Sequence, residues 1–523
     1  MPAFLAPLRQ VLCAGTALFL IAAPGAAEVA FRDRSAALAV TQSYEGDWYH
    51  YVGGGVAVFD CNDDRRPDFL AAGGAAATRL FVNTSAEGGD ITFEPGAIED
   101  LAGVTGAYPL DIDGDGRVDL AILRKGANLL LRGTGDCRFE AAPAAWGFDG
   151  GEEWTTAFAA TFEPGQDWPT LVFGNYVDPD DPTGPFEACD ANYIHRPQGR
   201  AFAPRIALRP GFCALSMLIS DWKRSGVPEL RISNDRQYYV RAGREQMVRL
   251  SDLHEYTEAE GWPTLRLWGM GIASRDLTGD GLPEVMLTSM GDQLLQINLG
   301  GGRMQNAPYG IGSYATTPYL GDDGRPSTGW HAEFGDIDND GRDDLFIAKG
   351  NVEQMPSNAM RDPNNLLMQQ PDGTFVEKGG VAGIGTMERS RGAAVVDLNR
   401  DGRLDILVIN RRAPMEIWQN VTEGTGHWLS VDPRLSGANS HAIGAIVTLT
   451  LPDGRILTQE RTVGGGHASG ALVPLHFGLG AAETAEISVI WPDGRQSGPV
   501  GVRADARLRL TPGEDGRLMI GAE

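Results

Sequence analysis

The chain has few basic residues for its length. Its 523 residues contain 44 Lys and Arg against 69 Asp and Glu, which gives a formal net charge of −25. Proteins that bind nucleic acid need a basic surface to neutralise phosphates. The sequence therefore predicts no nucleic-acid partner.

The motifs that mark common catalytic centres are also missing. The 5 cysteines include no CxxC pair, and the 8 histidines show no HExxH spacing. There is no GxSxG elbow and no phosphate-binding loop. We therefore assign no catalytic residue and no organic cofactor from the sequence. Whether the protein is an enzyme stays open, and the sequence favours a non-enzyme.

Long apolar runs are absent after the first 27 residues. Residues 11–23 are apolar but too short to span a bilayer, which takes about 20 residues. Arg9 precedes this run, and the small residues Gly25 and Ala27 follow it at the −3 and −1 positions of a cleavage site. The pattern predicts a signal peptide at residues 1–27. We expect export to the periplasm or the exterior, and a mature chain without a transmembrane segment.

Glycine, in contrast, is abundant, with 69 residues, far above the usual share of about 7%. Many short strands joined by tight turns are typical of such a composition. Residues 336–351, DIDNDGRDDLFIAKGN, contain one of these turns. Asp336, Asp338, Asp340 and Asp344 occupy positions 1, 3, 5 and 9 of the turn, and Gly341 at position 6 permits the bend. An apolar strand follows at once.

This turn has the ligand pattern of a cation site. Carboxylates held so close together repel one another unless a cation lies between them. Oxygen ligands at alternate positions of a tight loop are typical of Ca²⁺ sites. The alternative is a solvated acidic turn without metal, and one isolated copy would not separate the two.

The same turn recurs along the chain, and recurrence in phase with apolar strands favours the metal interpretation. Five copies carry the pattern, and in the first of them Arg65 stands at position 6 where glycine is expected. We predict about five structural Ca²⁺ sites. Their ligands are Asp60, Asn62, Asp64 and Asp68; Asp111, Asp113, Asp115 and Asp119; Asp276, Thr278, Asp280 and Glu284; Asp336, Asp338, Asp340 and Asp344; and Asp397, Asn399, Asp401 and Asp405.

Two weaker copies fill the gaps between the five. Residues 221–229 place Lys223 at position 3, where its ammonium can replace the ion, so we predict no metal there. Residues 161–170 lack the carboxylates altogether. Seven units at intervals of roughly 50 to 60 residues, each with four strand patterns, predict a seven-bladed β-propeller over residues 28–422.

Four cysteines remain after the signal peptide, and an exported protein favours disulfides. Three pairings can be drawn from four cysteines. We favour Cys189 with Cys213, which would hold an insertion at residues 177–211, and this leaves Cys61 to pair with Cys137. The alternative is four buried thiols. The insertion itself is interpreted as a long surface loop.

The repeat stops after Thr422. Residues 423–515 contain short alternating strands joined by PDG turns, which predict a small β-sandwich, with residues 516–523 as a tail. The glycine-rich segment VGGGHASG at residues 463–470 is not followed by a helix, so it is not a phosphate loop. We interpret His467 in this segment and His476 in HFGLG as structural.

Both regions resemble known families. The DxDxDGxxDL turns between two strands resemble the FG-GAP or VCBS repeat, which builds the propeller of integrin α subunits. The order of AIGA, the glycine-rich segment, HFGLG and a WPDG turn resembles the ASPIC/UnbV domain. Together they resemble bacterial relatives of cartilage acidic protein. The resemblance implies calcium in the acidic turns and an extracellular setting.

Two functions follow from this interpretation. The first is an exported, calcium-binding, adhesion-type module that binds an extracellular protein or glycan. The alternative is a carbohydrate lyase or dehydratase that uses the propeller channel, where His331 could lie. Clustered His, Tyr, Arg and Lys at the channel mouth would favour the enzyme, whereas a flat aromatic or acidic face would favour binding. The sequence leaves the oligomeric state open.

Overall fold

The computed structural model of the protein describes residues 28–99, 101–182, 184, 188–235, 243–314, 316–321 and 324–523. The predicted signal peptide lies outside the described residues. Within them, no helix combines the length and the apolar character needed to cross a membrane.

In the described part of the chain, seven sheets, each with four antiparallel strands, follow one another, and we number them as blades one to seven. The sheet of blade one has a fifth strand, Gly470–Leu472, which pairs parallel with its innermost strand. The innermost strands are Val56–Phe59, Val104–Leu110, Thr155–Thr161, Ala214–Ser220, Gly269–Arg275, Gly329–Gly335 and Ser390–Val396. The second strands are Asp68–Ala71, Asp119–Arg124, Thr170–Asn175, Glu229–Asn234, Glu284–Ser289, Asp344–Lys349 and Asp405–Asn410. The third strands are Arg79–Asn83, Leu129–Gly135, Asn192–His195, Gln246–Arg249, Leu294–Asn298, Asn365–Gln369 and Glu416–Asn420. The outer strands are Phe93–Pro95, Arg138–Ala141, Ile206–Leu208, His254–Glu255, Met304–Asn306, Phe375–Glu377 and Phe31–Asp33.

The blades close into a ring. Each innermost strand contacts that of the next blade, and Ser390–Val396 of blade seven contacts Val56–Phe59 of blade one. Blade seven takes its outer strand from the other end of the repeat region, because Phe31–Asp33 pairs antiparallel with Glu416–Asn420. The prediction of an all-β propeller is confirmed.

The inner strands are buried on both faces. Every residue of Thr155–Thr161 and of Ser390–Val396 is buried, because a neighbouring blade packs on each side of the sheet. Strands with two covered faces need no polar alternation. This is why the acidic turns lead into continuous apolar runs.

The C-terminal region forms the predicted sandwich. Its core includes Leu429, Val447, Phe477 and Ile487, which are buried between two sheets. One sheet contains Leu475–Gly480, His427–Pro433, Ala506–Pro512 and Leu518–Ala522. The other contains Ile456–Glu460, Ile446–Thr450, Thr484–Ile490 and Gln496–Arg503.

Two boundaries drawn from the sequence need correction. Residues 516–523 are not a tail, since Leu518–Ala522 pairs antiparallel with Ala506–Pro512. Residues 177–211 are not simply a surface loop, because they contain Asn192–His195 and Ile206–Leu208, the two outer strands of blade three. Short strands with mixed polarity at the edge of a sheet carry a weak periodic signal.

Both disulfides have the predicted pairing. Cys189 bonds to Cys213, and Cys61 bonds to Cys137. The second bond joins the acidic turn of blade one to the hairpin between the last two strands of blade two. Short helical turns complete the described chain. They are Gly379–Ala382, Ser35–Ala37, Trp48–His50, Ala144–Trp146, Glu258–Glu260 and Tyr309–Ile311.

Candidate metal centres

The acidic turns connect the first and second strands of their blades, and we number them as loops one to seven by blade. All except loop three share one backbone conformation, with left-handed residues at positions 4 and 6. Position 4 is Asp63, Gly114, Arg224, Gly279, Asn339 and Arg400, and position 6 is Arg65, Gly116, Gly226, Gly281, Gly341 and Gly402. Arg65 adopts a φ of 70°. Loop one therefore makes the bend without glycine, as the sequence requires.

The first aspartate of each loop holds this conformation. Asp336 Oδ2 accepts a hydrogen bond from the Gly341 N–H at 2.7 Å. Asp60 Oδ2 accepts one from the Arg65 N–H at 2.7 Å. The same bond to position 6 occurs in loops two, four, five and seven. The loop thus folds around its first carboxylate.

The carboxylate at position 9 is buried behind the loop. Asp344 is 2% exposed. It accepts one N–H from Ile337, at position 2, and another from Gln369 at the end of the third strand. Equivalent pairs of bonds hold Asp68, Asp119, Glu284 and Asp405. Each of these side chains therefore ties its loop to two strands.

Burial disfavours the ionised form of these carboxyl groups. It raises the pKa of Asp68 and of Glu284 to about 7, and that of Asp119 to about 8. The pKa values of Asp344 and Asp405 lie well above the usual range for the same reason. A cation among these oxygens would reverse the effect, because an opposite charge favours the ionised form.

Loops two and six bring three carboxylates together. Oxygens of Asp336, Asp338 and Asp344 lie within 4.8 Å of one another, as do those of Asp111, Asp113 and Asp115. Loops one, five and seven form no such trio among the described residues. The structure therefore groups the predicted ligands more tightly in two loops than in the other three.

Loop six fits calcium best. Asp338 is 6% exposed, and its Oδ1 has no hydrogen-bond partner. Oδ1 of Asn399, at the same position of loop seven, is likewise buried without a partner. Leaving a buried oxygen unsatisfied is costly, and coordination to a hard cation removes that cost.

Loop two has a competitor that sequence reasoning missed. Arg132 of the third strand contacts Asp113 at 2.8 Å and Asp115 at 2.9 Å. The guanidinium therefore neutralises part of the charge that a cation would otherwise meet. An arginine two strands away from the loop gives no local sequence signal.

Loop four carries the expected ammonium. Lys223 Nζ lies 2.8 Å from Glu229 Oε1, at position 9. Its other hydrogen bond goes to the Tyr256 hydroxyl rather than to Asp221. The lysine thus compensates the charge of a buried carboxylate, at the position where the five predicted metal loops have Asp, Asn or Thr.

A recurrent asparagine at the end of the third strand was also missed. The Asn298 side chain donates to the Trp222 carbonyl of loop four at 2.9 Å. Asn83 and Asn420 donate in the same way to carbonyls of the preceding blades' loops. The repeated final asparagine of the third strands was the available signal. These residues link loops four, six and seven to the next blade.

The sandwich lies on the face of the ring that carries the acidic loops. Its Ser440 contacts Asp111 of loop two, and its Arg507 contacts the Arg400 carbonyl of loop seven. Glu460 forms an ion pair with Arg224 of loop four. The metal candidates are therefore located at the interface of the two domains.

The glycine-rich segment, residues 463–470, leaves the sandwich and enters the ring. Gly465 and Gly466 donate their N–H groups to Met217 and Ile272 on the inner strands of blades four and five. Gly470–Leu472 then pairs parallel with Val56–Phe59 of blade one. Gly466 has a φ of 57°, and a Cβ there would lie 2.4 Å from Cε1 of His331. We call this segment the plug.

The plug fills the centre of the channel. His467 is fully buried, and its Nε2 accepts the Gly53 N–H at 3.1 Å. A lyase that works in the channel would need the plug to leave. The prediction that His467 is structural agrees with these contacts. The sequence gave no sign that the partners of His467 lie on the propeller.

A cavity of about 250 Å³ remains beside the plug, between blades four to seven and the sandwich. It contains His331 and Glu333, whose Nε2 and Oε2 atoms lie 3.2 Å apart. Four of its arginines pair with carboxylates, as in Arg461 with Asp432. Among the described residues, neither lysine nor tyrosine lines it. A cluster of His, Tyr, Arg and Lys would favour an enzyme, and only histidine and arginine are found here. We assign no catalytic residue.

Family comparisons match both regions of the chain. Residues 60–122, 276–347 and 336–408 match the FG-GAP-like repeat, and residues 435–517 match ASPIC and UnbV. The three repeat matches begin at Asp60, Asp276 and Asp336, the first ligand positions of their loops. The chain is an FG-GAP-repeat protein with a C-terminal ASPIC/UnbV domain. Its ASPIC/UnbV domain supplies the plug.

Curated relatives match a smaller stretch. The chain is 30% identical to mouse (Mus musculus) cartilage acidic protein 1 over 168 residues, which are 31% of this chain and 25% of the relative. The human (Homo sapiens) protein gives the same identity and length, with 24% of the relative covered. The matched stretch thus spans about a quarter of each curated relative.

Solved propellers are more distant. BBS1N, from its complex with ARL6DN, aligns with a TM-score of 0.44 and 10% identity, over 75% of this chain and 97% of that chain. The Dos1 propeller aligns with a TM-score of 0.36 and 10% identity, over 72% of this chain and 95% of that chain. Likeness at this level says nothing about function.

Proposed function

We propose that this FG-GAP-repeat protein is an exported, calcium-binding β-propeller that binds a protein or glycan outside the cytoplasm. The calcium assignment depends above all on Oδ1 of Asp338, a buried oxygen without a partner. It lies in the trio with Asp336 and Asp344, both 2% exposed. Carboxylates this buried and this close are stable as ions only with a cation among them.

The role of the ion would be structural. Asp336 orders the turn, and Asp344 ties it to the second and third strands. A cation bound between them stiffens the edge of the blade without any chemical step. Extracellular modules of this kind bind Ca²⁺ with dissociation constants on the order of 10⁻⁴ to 10⁻³ M.

Export is supported by the two disulfides. Cys61–Cys137 and Cys189–Cys213 belong to the blades themselves. Such bonds persist in oxidising compartments and are rare in the cytosol. Together with the signal-peptide pattern of residues 1–27, they favour a periplasmic or secreted protein.

The free face of the ring is the proposed partner surface. The ASPIC/UnbV domain covers the acidic-loop face, which leaves the face where the innermost strands begin. Half-buried Trp48 and Tyr49 lie there against Trp154, with ring centroids 5.2 and 5.7 Å away. Lys125 lies 5.0 Å above the Tyr49 ring. Aromatic rings with one open side stack on sugars and fill protein interfaces.

Metal analysis tests the calcium assignment directly. The purified mature protein should contain about five Ca²⁺ and melt at a higher temperature with calcium than with chelator, because ligands that bind only the folded state stabilise it. Asp338→Ala should lose one ion, because it removes the oxygen ligand at position 3 altogether. Glu486→Ala, on an exposed strand position of the sandwich, is the matched control. A wild-type protein without calcium and without a thermal shift would refute the assignment.

A binding screen tests the partner surface. Wild-type protein would be applied to glycan arrays and to extracellular protein libraries, and any ligand found would be retested with Trp48→Ala. We expect at least about tenfold weaker binding, as for an aromatic residue at the centre of an interface. Tyr309→Ala removes an aromatic ring that is 72% exposed elsewhere and should bind normally. Equal binding by both variants would exclude the Trp48 surface.

A further inference from the structure

Loop six is the part of the propeller on which the C-terminal region rests most directly. The Asp338 carbonyl accepts the Gly426 N–H at 2.9 Å, and the Asn339 carbonyl accepts the Gly480 N–H at 2.8 Å. The next two carbonyls, of Asp340 and Gly341, accept from Arg455 Nη1 at 3.2 and 3.3 Å. Four consecutive carbonyls of one metal loop thus face the second domain or its linker.

The side chain of Asn339 extends this contact. Its Oδ1 lies 2.8 Å from Nε2 of His476, in the HFGLG strand of the ASPIC/UnbV domain. Its amide group donates to the Gly402 carbonyl of loop seven at 2.8 Å. Asn339 is fully buried between the two domains. It stands between two predicted ligands, Asp338 and Asp340.

The same contact explains why residue 478, in HFGLG, is a glycine. A Cβ on Gly478 would lie 1.9 Å from Oδ2 of Asp336. The backbone of the second domain therefore approaches the first ligand of loop six closely. No other residue type fits there without moving the loop.

We propose that loop six is a calcium-dependent latch that holds the ASPIC/UnbV domain, and with it the plug, on the propeller. This inference rests on the proposed calcium function. Without a cation, no ligand joins the oxygens of Asp336, Asp338 and Asp344, which lie within 4.8 Å of one another, and Oδ1 of Asp338 is buried without a partner. The turn is then no longer held in this shape, and the four carbonyls and Asn339 leave their partners.

The other loops make lesser contacts with the domain. Loop two reaches it through Ser440 on Asp111, and loop one through Arg65 on the terminal Glu523 carbonyl. Loop four reaches it through Arg224, which pairs with Glu460. Loop seven offers one backbone carbonyl, that of Arg400, to Arg507. Loop six offers four consecutive carbonyls, whose positions depend on the whole turn.

Hydrogen exchange on the full mature chain tests the latch without any variant. With calcium, amides of Leu475–Gly480 and of residues 463–470 should be protected. With chelator they should exchange at least about tenfold faster, as expected for a local opening. Thr170–Asn175 of blade three, whose loop lacks the acidic pattern, should exchange equally in both conditions.

Variants separate loop six from the rest. Asp338→Ala in calcium should reproduce the loss of protection at Leu475–Gly480, whereas Asp113→Ala in loop two should not. Coupling between two sites is reciprocal. His476→Ala should therefore weaken one calcium site about tenfold although it touches no ligand, and His476→Gln, which keeps a donor for Asn339, should restore much of the affinity.

The outcomes distinguish the latch from the calcium function itself. If metal analysis finds calcium but the exchange of Leu475–Gly480 does not respond to chelator, the latch is wrong and the calcium sites stand. If no calcium is bound, both fail together. Loss of protection in Asp113→Ala equal to that in Asp338→Ala would also overturn the assignment to loop six.

Discussion

His467 donates its backbone N–H to Nδ1 of His331 at 3.1 Å, in the centre of the ring. Because that nitrogen accepts, the proton of neutral His331 is on Nε2, toward Glu333. The His467 ring accepts the Gly53 N–H at Nε2, so its own proton is on Nδ1, toward the Met270 carbonyl. One residue of the ASPIC/UnbV domain therefore bonds to blades one, five and six.

This burial predicts a loss of stability in acid. It lowers the pKa of His467 to about 3, whereas an unfolded histidine titrates near about 6.5. The stabilisation is complete above about 6.5 and falls as the pH is lowered, because only the unfolded state then gains the proton. Between pH 6.5 and pH 5 the cost for this histidine is about 2 kcal/mol.

Urea denaturation of wild type and His467→Gln at pH 7 and pH 5 checks this value. The variant should be less stable than wild type at pH 7. The difference in the free energy of unfolding between the two proteins should be smaller by about 2 kcal/mol at pH 5. Groups common to both proteins cancel in that difference. A gap that stays constant would mean that His467 titrates normally.

Asn298→Ala should weaken the contact between blades four and five. Asn298 is 2% exposed, and its loss leaves the Trp222 and Pro283 carbonyls and the Gly300 N–H without their partner. We expect a cost of about 2 to 3 kcal/mol in the free energy of unfolding. Exposed Gln305→Ala in the same blade should cost under about 0.5 kcal/mol. Similar costs for both changes would contradict a bridging role for Asn298.

Lys223→Asp should create a further calcium site. Loop four already has the shared conformation, with Arg224 and Gly226 at φ values of 50° and 78°. The change supplies the missing carboxylate and removes the ammonium from Glu229. Metal analysis should find one additional Ca²⁺. Lys223→Ala, the control, should gain none and should lose stability. No added ion in Lys223→Asp would show that loop conformation and carboxylates do not suffice.

Removal of the Cys189–Cys213 bond should open the chain ahead of blade four. The double change Cys189→Ser and Cys213→Ser releases a link that spans 24 residues, at a cost of about 2 to 4 kcal/mol. A protease of broad specificity should then cut before residue 189. The double change Cys61→Ser and Cys137→Ser removes the other bond and should leave the chain before residue 189 resistant to the protease. Equal cleavage of both variants would argue against a local role for the first bond.

Features encoded in short stretches were predictable. The shared loop conformation, the position of Gly341 and the anomaly at Arg65 follow from local turn geometry, because each acidic loop folds around its own first aspartate. The disulfide pairing also followed, since Cys189 and Cys213 flank one segment. The outer strands of blade three were missed because their residues are few and mixed in polarity.

The sequence by itself determined the blades, the acidic loops and the sandwich, because period, turn residues and alternation are properties of neighbouring residues. Only the tertiary structure decided what those parts do to one another. His467 and His331 are 136 residues apart, and Gly478 is small because a loop from the other domain lies against it. Such residues are selected because they fit a surface that is distant in the sequence. This kind of selection produces no periodic pattern along the chain. The plug and the contacts between loop six and the second domain can therefore be recognised only from the two domains together.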